Sequence, residues 1–194
     1  MKKTLSQISK VMMVSLAMVA GGEATASTVP EGTGGIQYPG GTSPDPEPPN
    51  LKPLPTKARL LKSGKASVPS GAPAQVQAVI KAGNQIVGKP YLYGGGHSSF
   101  KSSGYDCSGS VSYALHGGKL LSRPMPSGPL MSWGKSGKGD WITVYANSGH
   151  AYMQVAGLRL DTSAAGDPGG GKGPRWRKVL RSSSGYVARH PKGL

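Results

Sequence analysis

The stretch "GYDCSGSVSYALHGG", Gly104 to Gly118, holds the only cysteine of the chain, and the reading of every other segment turns on it. It runs from a turn straight into a short amphipathic helix. Asp106 suits the N-cap, because its carboxylate accepts bonds from the free N–H groups of the first helical turn. Cys107, Val111, Ala114 and Leu115 then recur at helical spacing, and Gly117 with Gly118 supplies a C-terminal stop. A cysteine in the first turn feels the positive end of the helix dipole, which favours thiolate over thiol. That placement suits a nucleophile. A small buried cysteine fits the same spacing, since free cysteines are among the most buried residues.

The start of the chain bears on that choice. Lys2, Lys3 and Lys10 precede an apolar run from Val11 to Ala20, and Ala24-Thr25-Ala26 forms a small-residue cleavage site before Ser27. Residues 1–26 therefore read as an export signal. The run is too short for a membrane span, so no membrane anchor is expected. The mature protein is expected outside the cytoplasmic membrane, secreted or held in the cell envelope. Exported chains pair their cysteines in disulfides, and a lone cysteine has no partner within the chain. A thiol kept unpaired there points toward reactivity.

Net charge over the 194 residues is +15, unevenly spread. Residues 27–50 carry three acids (Glu31, Asp45, Glu47) and no base. From Leu51 onward twenty Lys and Arg face four acids, Asp106, Asp140, Asp161 and Asp167. A body this basic favours polyanions. With an export signal in front of it, the expected partners are anionic envelope polymers rather than nucleic acid; charge serving only solubility is the plainer reading. Residues 27–72, rich in Pro and Gly and then basic, lack apolar periodicity and read as a disordered linker or a pro-segment covering the site. The folded domain is expected over residues 73–194, as a monomer.

Within it, Val76, Val79, Ile80, Gly83 and Val87 share one helical face, ended by Gly88 and Pro90. Lys119 to Ser136 reads as a Pro- and Gly-punctuated loop with Leu130, Met131 and Trp133 at a rim or lid. Strands are expected at Trp141 to Ala146, His150 to Val155, Leu158 to Thr162, around the "PRWRKV" segment and near Tyr186 to Ala188. Helices first and strands later make an α+β domain, with an antiparallel sheet packed on the cysteine helix.

A cysteine nucleophile needs a base within hydrogen-bond reach and a third group to orient that base. His116 lies nine residues past Cys107, more than two helical turns away, and is too far to touch the thiol. His97 sits in a glycine loop and His190 near the terminus. His150 alone opens an alternating strand. If the hairpin turns at Ala156-Gly157, Val155 faces Leu158 and Met153 faces Leu160, two apolar pairs on one side of the sheet. The other side then carries His150, Tyr152 and Gln154 opposite Ser163, Asp161 and Arg159. Asp161 becomes a diagonal neighbour of His150, about 7–8 Å away at the backbone, with Ser163 directly opposite as the competing orienter. A one-residue slip would turn Leu158 and Leu160 onto the polar face, so the pattern itself specifies the register. Ala156 is a poor turn residue, because the turn asks for positive φ.

From Pro73 to Leu194 these pieces resemble the NlpC-type cysteine peptidases, bacterial cell-wall endopeptidases with a papain-like core. The resemblance rests on "GKPYLYGG" (Gly88 to Gly95), "YDCSGSVSYAL" (Tyr105 to Leu115), Gly139-Asp140 and "SGHAYMQVAG" (Ser148 to Gly157), in the family's order. It implies Cys107 as nucleophile, His150 as base and Asp161 as the third group, where the family usually has His, Asn or Gln. It further implies that Tyr91 offers its hydroxyl to the site, and that Asp106 and Ser108 match residues that in some members help hold the N-terminal amine of a peptidoglycan stem peptide. Ser110 stands where the family commonly has a large apolar residue. The implied activity is hydrolysis of amide bonds in stem peptides, plausibly γ-D-glutamyl bonds, through an acyl-enzyme.

No cofactor and no metal are expected, because no histidine pair has ligand spacing and there is one cysteine. "GPLMSWGKS" (Gly128 to Ser136) resembles a phosphate-binding loop but has five residues where that motif has four between its glycines. Two other functions remain at this point: a non-catalytic wall- or polyanion-binding protein on the same scaffold, and an amidase or acyltransferase using the same Cys-His pair.

Overall fold

The computed structural model describes residues 56–165, 167 and 172–194. The segment expected to be an export signal, 1–26, and the part of the expected linker up to residue 55 lie outside the described residues. Helices α1 (Ala74–Ile86), α2 (Cys107–Gly117) and the single-turn α3 (Ser127–Leu130) come first. Strands β1 (Lys135–Ser136), β2 (Ile142–Ala146), β3 (Ala151–Val155), β4 (Leu158–Asp161), β5 (Arg175–Arg177) and β6 (Val187–His190) follow. They form an antiparallel sheet in the order β1-β6-β2-β3-β4-β5. This is an α+β fold with the cysteine helix packed on an antiparallel sheet. The two-residue β1 is too short to carry any periodic signal.

The β3–β4 hairpin has the expected register, with Val155 opposite Leu158 and Met153 opposite Leu160. Ala156 and Gly157 both take positive φ, +46° and +88°, as a type I′ turn requires. Ile142, Val144, Met153, Val155, Leu160 and Trp176 share one face of the sheet, and they cluster with Val76, Val79 and Ile80 of α1 and Val111, Ala114 and Leu115 of α2. Glycine lets these layers close. A Cβ on Gly83 would come within 2.6 Å of the Trp176 ring, and one on Gly117 or Gly118 would collide with Ala82 or Val79 of α1. Gly117 and Gly118 thus serve the α1–α2 crossing more than the helix stop.

Lys119 makes the stop. It sits at φ +58°, and its N–H donates to the His116 carbonyl while the Leu120 N–H donates to the Leu115 carbonyl, a Schellman closure. Glycine adopts that conformation without the Cβ clash that a lysine carries. Lys119→Gly is expected to raise stability by roughly 0.5–1 kcal/mol, read as a higher denaturation midpoint. A lower midpoint would contradict this account of the cap.

Three regions differ from the sequence expectation. Residues 56–72, read as the end of the linker, pack on the domain: the Ala58 N–H donates to the Ala156 carbonyl at 2.9 Å, and the Asn84 amide bonds both the N–H and the C=O of Ala66. Ala58, Ala66 and Ala72 are buried, so small side chains give this segment its fit without an apolar pattern. Leu130, expected at a rim, is fully buried in the core. The second face of the sheet, expected simply to be polar, is itself covered. Tyr145 and Tyr152 stack at 5.0 Å, Tyr186 meets Tyr152 edge-on, and the Arg181 guanidinium lies 5.2 Å from the centres of the Tyr152 and Tyr186 rings.

Candidate active site

Cys107 opens α2, half-buried, with Asp106 as its N-cap. Asp106 Oδ1 accepts the Gly109 N–H at 2.8 Å, and Oδ2 accepts the Gly94 N–H at 3.0 Å. The glycine loop of residues 92–96 therefore lies directly on the first turn of the helix. A Cβ on Gly109 would sit on the Gly95 carbonyl oxygen, so backbone meets backbone there only because the side chain is absent. Behind the cysteine, the Ser110 hydroxyl donates to the Asp106 carbonyl at 2.7 Å. The polar residue at the family's apolar position is thus buried but satisfied.

His150 is brought to the site by a side-chain-closed turn. Asn147 Oδ1 accepts the N–H groups of Gly149 and His150 at 3.0 and 2.8 Å, fixing the entry into β3. His150 Nε2 then meets Asp161 Oδ1 at 2.9 Å, as the β3–β4 register allows. Ser163, the competing orienter, gives its N–H to the same Asp161 oxygen and accepts the Ala165 N–H on its hydroxyl. The structure joins Asp161 rather than Ser163 to the imidazole. With Nε2 held there, Nδ1 is the nitrogen left for the thiol. The second Asp161 oxygen lies 3.2 Å from Arg181 Nη1 and 3.4 Å from Arg159 Nε. Arg159 is fully buried, and neither Nη has a hydrogen-bond partner.

Electrostatics follow from this packing. Burial opposes the charged form of His150, but hydrogen bonds and charge from Asp161 and Cys107 outweigh it and raise the imidazole to about 9. Burial likewise opposes the Cys107 thiolate; the His150 hydrogen bond and the Ala151 N–H overcome it and bring the thiol below its ordinary value. Each group favours the charged form of the other. Around neutral pH the arrangement supports a thiolate–imidazolium pair.

Tyr91 borders two hollows. One, about 420 Å³, is lined by His97, Asp106, Cys107, Ser108 and the α3 segment from Pro126 to Pro129. The other, about 590 Å³, holds His150, Ser163 and Lys172. Burial, followed by the charges of Cys107 and Asp106, raises the Tyr91 hydroxyl above its usual value, and Tyr91 lines the same hollow as the cysteine. Asp106 and Ser108 are buried next to Cys107.

One neighbour was not expected. His97 Nε2 lies 2.9 Å from Ser108 Oγ and 2.9 Å from Asp106 Oδ2. No periodicity reaches a glycine loop; the bonds of Gly94 and Gly95 to Asp106 and the close approach of Gly95 to Gly109 reveal that the loop folds onto α2. The other histidines serve structure: His116 Nδ1 bonds the Leu121 carbonyl and its ring stacks on Phe100 at 3.7 Å, and His190 Nδ1 bonds the Gly137 carbonyl. Among the described residues, no three His, Cys, Asp or Glu side chains form a metal-binding group.

No family model and no curated protein matches the chain. Solved structures with a similar arrangement do exist. RipB of Mycobacterium tuberculosis, described as a peptidoglycan hydrolase, is 24% identical over 59% of this chain and 64% of its own, with a TM-score of 0.45. A protein of Bacillus cereus is 19% identical over 61% of this chain and 40% of its own, with a TM-score of 0.45. RipD of M. tuberculosis, described as a non-catalytic domain protein adapted to peptidoglycan binding, is 20% identical over 60% of this chain and 98% of its own, with a TM-score of 0.42. These neighbours are NlpC/P60 proteins. The resemblance read from Pro73 to Leu194 is to the same family. The chain covers less than two thirds of RipB and of the Bacillus NlpC/P60 protein.

Proposed function

We propose that this chain is an extracytoplasmic cysteine peptidase that hydrolyses amide bonds in peptidoglycan stem peptides, with Cys107 as nucleophile, His150 as base and Asp161 as the group that orients it. The observation that carries this reading is that His150 bonds Asp161 on one side and favours the thiolate of Cys107 on the other, with Cys107 lining a cleft. The Cys107 thiolate attacks the scissile carbonyl, and the negative charge moves to the carbonyl oxygen, facing the Cys107 N–H at the start of α2. Collapse of that intermediate passes a proton from His150 to the leaving amine and leaves an acyl-enzyme. Water, deprotonated by His150, releases the acid and restores the thiol. The basic body gives the enzyme a general attraction to an anionic wall.

A non-catalytic wall-binding role would explain the charge but not a cysteine whose pKa is lowered and a histidine whose pKa is raised, each by the other. Incubating the protein and its Cys107→Ala variant with purified peptidoglycan, with fragments identified by mass spectrometry, separates the two. New stem-peptide fragments are expected from the unsubstituted protein alone. Identical fragments from both, or none from either across walls of different composition, would overturn the peptidase reading; a wall-pelleting assay on the variant then reads binding alone.

A further inference from the structure

We propose that His97 sets substrate specificity. It closes the Asp106 carboxylate to cations, so that the cleft beside Cys107 takes a stem peptide whose amino end is acylated rather than one ending in a free ammonium. The proposal rests on the reading of the cleft as a peptide site. It departs from the amine-holding role that the family resemblance implies for Asp106 and Ser108.

The argument begins with the carboxylate itself. Asp106 is 4% exposed and already faces four donors: the N–H groups of Gly94 and Gly109, the Ser108 hydroxyl and His97 Nε2. A carboxylate offers about four lone-pair positions, so none is left for a ligand. An ammonium entering the cleft loses water and needs an anionic acceptor in exchange. The remaining lining, Tyr91, Tyr93, Cys107, Ser108, Pro126 to Pro129, Ser148 and Gly149, contains no second carboxylate. The Cys107 thiolate is the one other negative charge, and it is paired with His150.

His97 also has something to offer a neutral end. Its side chain is 31% exposed, and no hydrogen bond reaches Nδ1 among the described residues. His97 lines the cleft, and with Nε2 engaged by Asp106 and Ser108, Nδ1 is the nitrogen left to accept a bond from a ligand. An acylated amino end brings an amide N–H without a charge to desolvate. In peptidoglycan, that is a stem peptide still amide-linked to its glycan strand, as opposed to a released peptide with a free α-amine.

Binding to Cys107→Ala protein tests this without requiring turnover. The probes are a synthetic stem peptide with a free α-amine and the same peptide N-acetylated, each titrated calorimetrically. The acetylated probe is expected to bind at least about tenfold tighter, and adding His97→Ala should cut that preference by about tenfold by freeing Asp106. His97→Gln, which retains a donor toward Asp106, should keep the preference within about threefold of the starting protein. Equal or tighter binding of the free amine, an unchanged preference after His97→Ala, or no binding of either probe would each overturn the proposal. Wall digestion by the unsubstituted protein is read separately, so failure of hydrolysis and failure of this specificity are distinguishable.

Discussion

Asp161→Asn is expected to cost the domain about 3–5 kcal/mol of stability and to slow the reaction of Cys107 with alkylating agents at neutral pH. The side chain is 1% exposed and holds His150 Nε2 and the Ser163 N–H on one oxygen, Arg181 and Arg159 on the other. Asparagine keeps the shape but removes the charge. Arg159, fully buried, would then face Arg177 and Arg181 with only the weaker influence of Asp167 to offset them, a situation in which loss of a partner is costly. The same change lowers the His150 pKa, because it removes the Asp161 hydrogen bond and charge that help Cys107 outweigh burial. Linkage fixes the pH dependence of that part. A histidine raised to about 9 from an unfolded value of 6.5 contributes stability that is complete below 6.5 and lost as pH rises through 9. The gap between the two proteins should therefore be wider at pH 6 than at pH 10. Urea unfolding at several pH values measures both effects, and a loss below 1 kcal/mol would contradict the role given to Asp161.

Gly109→Ala is expected to disturb stability and site together. Alanine is the better helix former, by about 1 kcal/mol at an unconstrained position. Here its methyl would sit on the Gly95 carbonyl oxygen, and neither the backbone of α2 nor the glycine loop has a side chain to move aside. The loop must lift, taking with it the Gly94 N–H and His97 that cage Asp106. A net loss of about 1–3 kcal/mol is expected, with weaker binding of peptide in the cleft. A gain in the thermal midpoint would show that the loop yields freely.

Much of the site was legible because it hangs on a hairpin with a strong pattern. Val155 with Leu158 and Met153 with Leu160 fix a register, and that register sets Asp161 beside His150. The N-cap of α2 was equally local, one carboxylate ahead of a helical run. What escaped depends on distant segments closing over local ones. Arg159 reads only as a polar-face residue, and nothing local shows that this face is covered by Arg181 and Tyr186. His97 reads as a loop residue until Gly95 meets Gly109, and Leu130 as a lid until α3 turns it inward. Residues 56–72 carry alanines where a pattern would need larger side chains, so nothing marked their packing.

The thiolate–imidazolium pair is the claim on which the chemistry depends, and the pH dependence of Cys107 alkylation tests it most directly. The chain has one cysteine, so iodoacetamide reports that thiol alone. In the unsubstituted protein the rate should rise at a pH below the ordinary thiol value of 9.0, whereas in His150→Ala burial should push the rise to that value or above it. Superimposable profiles, both rising near 9, would contradict the pairing of Cys107 with His150 and with it the nucleophile assignment.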